Sequence, residues 1–233
     1  MTDPIPDTKN RLLDAALMHV AFDGWTDATF DAAVADTGVD PVVARGVCPR
    51  GAVDLAVAYH KRGDQQMIEV LAGAGMDEMR IRDKITFAVR TRLEQADDKE
   101  AVRRGTTLFS LPQYAPDGAR LIWDTCDAIW TAIGDPSVDI NWYSKRATLS
   151  GVYGSTVLFW LGDESAGSEA TWEFLDRRIE NVMSFEKFKA QARKNPFIKA
   201  FMDGPGRLLE GVKAPNKDAA AGLPGRWNEQ TKG

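Results

Sequence analysis

The stretch Thr29–Leu71 reads TFDAAVADTGVDPVVARGVCPRGAVDLAVAYHKRGDQQMIEVL, and its helix signals decide the fold class. A short helical pattern stops at Gly38, after which Asp40 is a capping residue and Pro41 takes the first position of a second short helix. Gly51 then begins a much longer helical pattern. The predicted order of short helix, turn, short helix and long helix is typical of a helix-turn-helix unit.

One further helix precedes this unit. Thr8–Phe22 carries apolar residues at the three-and-four spacing of an amphipathic helix, with Asp7 or Thr8 as its cap and Asp23-Gly24 as its end. With that helix in front, the layout resembles the DNA-binding domain of TetR-type regulators. Trp25, directly after the helix, is predicted to anchor the packing of the domain.

The charge of this region argues against DNA binding. Residues 1–60 contain nine Asp and four Lys or Arg, so they carry the whole net charge of −5 of the chain. Duplex binding draws most of its affinity from cations that neutralise phosphates, yet the second short helix offers Arg45 and Arg50 alone. We therefore expect a retained scaffold that binds no nucleic acid, and we keep a ligand-responsive TetR-type regulator as the alternative.

The rest of the chain is also helical in pattern. Helical spacing of apolar residues continues through 64–93, resumes after Asp97-Asp98, and returns over 119–134, 139–162 and about 167–184, while Pro112 and Pro116 force a loop. The prediction is an all-α, TetR-like helical bundle. Its parts are a helix-turn-helix-like subdomain over 1–60, a second helical domain over 61–185, an amphipathic segment over 186–213 and a disordered tail over 214–233.

Catalytic and metal-binding patterns are missing from the sequence. The chain has two cysteines and two histidines, and His19 and His60 have no partner motif nearby. It contains neither a phosphate-binding glycine loop nor a nucleophile elbow. We expect no enzymatic activity, no cofactor and no metal. The polar N-terminus does not resemble a signal peptide, which favours a cytoplasmic protein.

Aromatic and small residues mark two helices as candidates for binding. Trp123 and Trp130 lie seven residues apart and so face the same way. They line either a pocket for an elongated apolar ligand or a dimer core, and periodicity does not separate these alternatives. Small residues recur at helical spacing at Gly151, Gly154 and Ser155, a pattern that favours close helix packing across a dimer.

A longer motif occupies Asp139–Met183. The runs DxNWYxxRAxLxxVYxST and TWxFLxxRIxNVM resemble the COQ9 family of ubiquinone-biosynthesis proteins, and the likeness extends to Leu12–Thr26 and Leu111-Pro112. The resemblance implies a homodimer that binds an isoprenoid lipid or quinone precursor, with residues 61–185 as the lipid-binding and dimerisation domain. It also implies that the protein presents this ligand to a COQ7-like hydroxylase, or a substitute for it, at a membrane surface. The absence of a mitochondrial targeting segment favours a bacterial member, peripheral on the inner membrane.

The resemblance also assigns residues. It implies a partner-binding patch made of Asp139, Trp142, Tyr143 and Arg146. Without the resemblance, the same residues indicate a cap, a buried Trp and an Asp–Arg ion pair. The predicted lipid-binding residues combine aromatic and leucine side chains from three helices: Phe109, Leu111, Trp123, Trp130, Tyr153, Leu158 and Trp160.

After Met183 the chain becomes basic and amphipathic. Apolar residues flanked by lysines and arginines are typical of a helix that lies on a membrane surface, although Gly204-Pro205-Gly206 splits the run. A terminal helix that docks on its own core is the alternative. The predicted membrane-contacting residues are Phe197, Ile198, Phe201, Met202, Leu208 and Leu209.

Overall fold

The computed structural model describes residues 4–96, 98–192 and 213–215, and every regular element within them is helical. The prediction of an all-α protein is confirmed for these residues. A short 3-10 turn at Ala166–Ser168 separates the last two helices. In chain order the helices are α1 Pro4–Asp23, α2 Asp27–Thr37, α3 Pro41–Val47, α4 Ala52–Gly73, α5 Ile81–Glu94, α6 Lys99–Ser110, α7 Ala115–Ala132, α8 Ile140–Gly162 and α9 Glu169–Ala192.

Local capping explains where the first helices begin and end. Gly38 ends α2 in the left-handed conformation, with φ at 63°, which a residue without a Cβ adopts at little cost. The carboxylate of Asp40 then accepts from the backbone N–H of Val42 at 2.8 Å and of Val43 at 3.3 Å. The predicted cap of α3 and the predicted stop of α2 are thus confirmed.

Three helix boundaries differ from the sequence prediction. Helix α1 begins at Pro4 rather than at Thr8. Helix α7 begins at Ala115, within the predicted loop, because a proline is tolerated in the first turn of a helix. Helix α9 continues to Ala192, beyond the predicted end near residue 184.

The buried residues in the described part of the chain form two apolar clusters. One is built on the first four helices and includes Trp25, whose indole N–H donates to the carbonyl of Ala101 at 3.1 Å. The prediction that Trp25 anchors the packing is confirmed. The other cluster joins the end of α4 to helices α5, α7, α8 and α9, with Met67, Ile129 and Leu175 fully buried within it.

The described residues divide into two compact units. The larger unit contains the described residues up to Asp135 together with Arg146–Phe185, and the smaller contains Pro136–Lys145 and the described residues from Glu186 onward. Within the smaller unit, the backbone N–H of Ala214 donates to the carbonyl of Val138 at 2.9 Å. The predicted membrane-contacting residues Phe197, Ile198, Phe201, Met202, Leu208 and Leu209 lie outside the described part of the chain.

Candidate functional site

A cavity of about 450 Å³ lies inside the larger unit. Helices α1, α4, α5, α6, α7 and α8 all contribute to its wall. A cavity of this kind is the usual setting for a small ligand. Its apolar lining consists mainly of Leu17, Trp25, Ala56, Leu93, Ala96, Ala101, Val102, Phe109, Ala119, Leu121, Ile122, Val157 and Leu158.

Glycines allow the helices to approach at this wall. A Cβ at Gly118, in the first turn of α7, would lie 2.8 Å from the Cβ of Phe109 on α6. A side chain at residue 118 would therefore displace Phe109 from the wall. Gly154 on α8 also lines the cavity, and a Cβ there would meet Cδ1 of Ile122 at 3.9 Å, which is an ordinary contact distance.

The structure brings together part of the predicted lipid-binding set. Phe109, Tyr153 and Leu158 line the cavity, whereas Leu111, Trp123, Trp130 and Trp160 are not among its lining residues. Trp130 and Trp160 are 8% and 7% exposed. They belong instead to the apolar cluster that joins the end of α4 to α5, α7, α8 and α9. Periodicity placed these tryptophans on a buried face, but it does not distinguish a face packed on neighbouring helices from one beside a cavity.

Trp25, Tyr59 and Leu93 line the cavity although the sequence analysis did not assign them to it. Trp25 was predicted as a packing anchor, and it both packs in the core and lines the cavity. His60 and Arg92 were also missed. The spacing of His60 and Asp64, one helical turn apart on α4, was the signal that could have identified them.

His60 and Arg92 belong to a buried polar cluster beside the cavity. Nε of Arg92 donates to Oδ1 of Asp64 at 2.7 Å, and Oγ1 of Thr125 lies 2.9 Å from the same oxygen. Nε2 of His60 is 2.8 Å from Oγ1 of Thr125. Nη2 of Arg92 donates to the carbonyl of His60 at 2.9 Å. Four residues from α4, α5 and α7 are thus joined by hydrogen bonds: His60, Asp64, Arg92 and Thr125.

Burial sets the protonation of this cluster. Desolvation lowers the pKa of His60 from 6.5 to about 4, and the nearby charges of Asp64 and Arg92 act in opposite directions. Desolvation likewise raises the pKa of Tyr153, which hydrogen-bonds Thr125, to about 12. At neutral pH the imidazole and the phenol are therefore uncharged, and the Arg92–Asp64 pair carries compensating charges.

The predicted partner-binding patch has members in different environments. Asp139 is exposed, and its carboxylate accepts from the backbone N–H of Asn141 at 3.0 Å. Trp142 is 8% exposed, and its ring packs edge-on against Tyr143 with centroids 4.8 Å apart. The hydroxyl of Tyr143 donates to the carbonyl of Lys213 at 3.3 Å.

Arg146 lies within the larger unit and is 2% exposed. Its guanidinium donates to Asp127 at 2.6 Å and to Asp135 at 3.2 Å. A partner-binding patch requires exposed side chains, whereas those of Trp142 and Arg146 are buried. Whether these residues bind a partner stays a prediction.

Neither a metal site nor a membrane span is found in the described part of the chain. No three His, Cys, Asp or Glu side chains there are close enough to hold a metal ion. None of the helices described is long and apolar enough to cross a bilayer. Cys48 and Cys126 are both buried and free.

The family comparison covers α7, α8 and most of α9. Residues 115–186 match the COQ9 family model. The ubiquinone biosynthesis protein COQ9 of Drosophila melanogaster is 32% identical over 188 residues, which are 78% of this chain and 57% of that protein. The predicted resemblance to the COQ9 family is confirmed. The COQ9 proteins of Rattus norvegicus and Homo sapiens are 32% and 29% identical, each over 76% of this chain and over 59% and 58% of their own length. The chain thus spans somewhat more than half the length of these mitochondrial COQ9 relatives.

The comparison with solved structures supports the fold of this COQ9-like chain. A TetR transcriptional regulator from Nitrosomonas europaea superposes with a TM-score of 0.62 over 76% of this chain and 97% of the regulator. The two sequences are 20% identical, so the likeness concerns the fold alone. The prediction of a TetR-like helical bundle is confirmed.

Proposed function

We propose that this chain is a lipid-binding accessory protein of ubiquinone biosynthesis. It holds an isoprenoid quinone precursor in the cavity of the larger unit and presents it to a COQ7-like hydroxylase, or a substitute for it, at a membrane surface. It performs no catalysis itself. The observation that carries the proposal is the largely apolar cavity of about 450 Å³ in a chain whose curated relatives are named as ubiquinone biosynthesis proteins.

The cavity has the properties that an isoprenoid tail requires. Its volume falls within the range of roughly 300–1,000 Å³ that is typical of small-molecule sites. An isoprenoid chain offers branched apolar surface, and each CH₂ group that it buries contributes about 0.8 kcal/mol. Leu93, Val102, Ile122 and Val157 supply matching apolar side chains to the wall.

The surface of α3 supports this function over that of a TetR-type regulator. The guanidinium of Arg45 is 3.4 Å from Asp27 and packs over the ring of Phe30. The guanidinium of Arg50 is 2.9 Å from Asp54 and 2.8 Å from Asp117. Because carboxylates of the chain itself offset both cations, little positive charge is left at this helix to attract phosphates.

The remaining parts of the proposal concern assembly and location. The protein acts as a homodimer that is peripheral on the inner membrane, on its cytoplasmic side. Exposed apolar side chains at Leu158, Phe159 and Met183 on α8 and α9 are consistent with a surface that associates with a second copy. The basic, amphipathic sequence over residues 186–213 is the segment that contacts the membrane.

Extraction of the purified protein tests the proposal directly. The full chain is expressed, purified without detergent and extracted with organic solvent, and the extract is analysed by mass spectrometry. We expect a lipid with an isoprenoid tail in an amount comparable to that of the protein. A protein preparation that carries no such lipid and takes none up from isoprenoid-containing vesicles would contradict the function.

A further inference from the structure

A largely buried polar cluster forms part of the described lining of the cavity. His60, Arg92 and Tyr153 come from α4, α5 and α8 and all reach the cavity wall. Arg92 and Tyr153 are 6% and 3% exposed. Among the other polar lining residues, Arg62 pairs with Asp14 at 2.6 Å, and Thr106 donates to the carbonyl of Val102 at 3.0 Å.

The cluster is supported from residues that do not line the cavity. Asp64 and Thr125 fix Arg92 and His60 in place through the hydrogen bonds described above. Among the described residues, the acceptors that Arg92 reaches are Asp64 and the carbonyl of His60, so further guanidinium N–H groups are able to donate. A ligand in the cavity would therefore meet oriented donors and an imidazole held by its own hydrogen bond.

Glycine at residue 63 makes room for this arrangement. A Cβ there would lie 2.5 Å from Nη1 and 2.7 Å from Cζ of Arg92. Any side chain at residue 63 would displace the guanidinium from its place at the cavity wall. Gly63 itself lines the cavity.

Stability alone does not account for such a cluster. A buried ion pair contributes little compared with apolar residues of similar volume, since desolvation offsets the attraction between the charges. The same helices would pack with an apolar patch in this place. Oriented polar groups at the wall of an apolar pocket are the usual means of fixing the orientation of a ligand.

We propose that His60, Arg92 and Tyr153 form a head-group subsite that binds an uncharged hydroxyl or carbonyl group of an amphipathic lipid whose tail occupies the rest of the cavity. This inference rests on the proposed lipid-binding function and adds the orientation and the polarity of the ligand. Asp64 already neutralises Arg92, and the imidazole is neutral at neutral pH. The subsite therefore has no net charge to offer a phosphate or a carboxylate, and it selects phenols, quinones or alcohols.

Three ligands with one tail test the subsite. Geranylphenol, geranylbenzene and geranyl phosphate compete with a fluorescent fatty-alcohol probe for the full-length protein, and their affinities are compared. We expect the phenol to bind about tenfold more tightly than the benzene, which leaves the buried polar groups unpaired. The phosphate should bind no better than the phenol. Equal affinity for phenol and benzene, or a preference for the phosphate, would overturn the subsite.

Three variants locate the preference. His60→Phe keeps an aromatic ring and removes the polar atoms, so the preference for the phenol should disappear while the affinity for geranylbenzene is kept. His60→Gln retains hydrogen-bonding groups and should retain the preference. Tyr153→Phe removes a single hydroxyl and provides the same comparison if His60→Phe does not fold. A preference that survives in both phenylalanine variants would refute the assignment.

The same assay separates failure of the subsite from failure of the proposed function. If the wild-type protein binds all three ligands equally, the cavity binds lipids but the polar cluster does not discriminate between their head groups. If it binds none of them, both the proposed lipid-binding function and the proposed subsite are refuted.

Discussion

Arg146 and Asp135 form a buried ion pair: Nη1 of Arg146 lies 3.2 Å from Oδ2 of Asp135, and the two side chains are 2% and 1% exposed. Asp127 accepts from Nε of the same guanidinium at 2.6 Å. One arginine thus satisfies carboxylates at the end of α7 and just after it. These hydrogen bonds hold α8 against α7.

Replacing Arg146 with Ala should destabilise the larger unit strongly. The change removes the guanidinium that lies against the buried carboxylate of Asp135, and loss of one partner of a buried pair costs about 3–5 kcal/mol. Urea unfolding followed by circular dichroism measures the change in the free energy of unfolding. The matched control is Arg45→Ala, which breaks a half-exposed pair with Asp27 and should cost less than about 1 kcal/mol. Equal losses in the two variants would contradict the structural role of Arg146.

The order of the helices was largely predictable from the sequence, because the residues that begin and end a helix act through local contacts. Asp40 and Gly38 mark α3 and α2 through contacts with neighbouring residues, so their roles follow from short patterns. The seven predicted lipid-binding residues were a different case. Phe109 and Leu158 line the cavity while Trp130 lies in the core, and this difference depends on which helices face one another.

The polar cluster was the least predictable feature of the site. His60, Arg92 and Thr125 are separated by more than 30 residues from one another along the chain. Taken alone, none of them differs in sequence from an ordinary surface residue. Only the packing of α4, α5 and α7 brings them together. Tyr153 was predicted for its apolar ring, whereas its hydroxyl joins the cluster.

Protonation of His60 should make the protein less stable in acid. The pKa of His60 is about 4 in the folded protein, below its ordinary value of 6.5. Between these pH values the unfolded chain binds a proton that the folded chain does not. The stabilisation is therefore fully present above pH 6.5 and is lost as the pH falls toward 4. The loss is on the order of 3 kcal/mol, at 1.36 kcal/mol per pKa unit.

The comparison of His60→Gln with the wild type isolates this contribution, because carboxylates also titrate in the acid part of the range. Urea unfolding at a series of pH values gives the stability of each protein. The difference between the two stabilities should change between pH 6.5 and 4 and be constant above pH 6.5. Parallel stability curves across that window would show that His60 is not buried in its neutral form.

The proposed hydroxylase contact is best tested at Tyr143 rather than at Trp142. Trp142 is buried, so Trp142→Ala should lower the melting temperature and mix a folding defect with any loss of binding. Tyr143 is half-buried, and Tyr143→Ala should weaken binding to the hydroxylase by about tenfold or more if it is an interface hot spot. Surface plasmon resonance with the purified hydroxylase measures the affinity. Exposed Val42 on α3 provides the control, since Val42→Ala lies outside both the patch and the cavity. Unchanged affinity in Tyr143→Ala would remove this residue from the proposed contact.

Deletion of residues 196–213 tests the proposed membrane segment. This sequence contains all six predicted membrane-contacting residues, and removing them should abolish sedimentation with liposomes that contain anionic lipid. Analytical ultracentrifugation should give the same oligomeric state before and after deletion. A control that replaces the lysines and arginines of this segment with Gln should retain the apolar residues and lose only the dependence on anionic lipid. Undiminished liposome binding after deletion would refute the assignment.

Filling the cavity from α8 should block lipid uptake without unfolding the protein. Gly154 lines the cavity, and a Cβ there makes only an ordinary contact with Ile122 at 3.9 Å. Gly154→Phe therefore extends an aromatic ring into the apolar space, and replacing a helix-interior glycine with Phe adds about 0.5 kcal/mol of helix propensity. Gly151→Phe is the matched control: it lies one turn earlier on the same helix, is exposed and has no atom within 4 Å of its Cβ position. We expect Gly154→Phe to lose the bound lipid and to keep or raise the melting temperature, whereas Gly151→Phe retains the lipid. Retention of lipid by both variants would place the lipid outside this cavity, and loss from both would point to an effect of the surface of α8 rather than of the cavity.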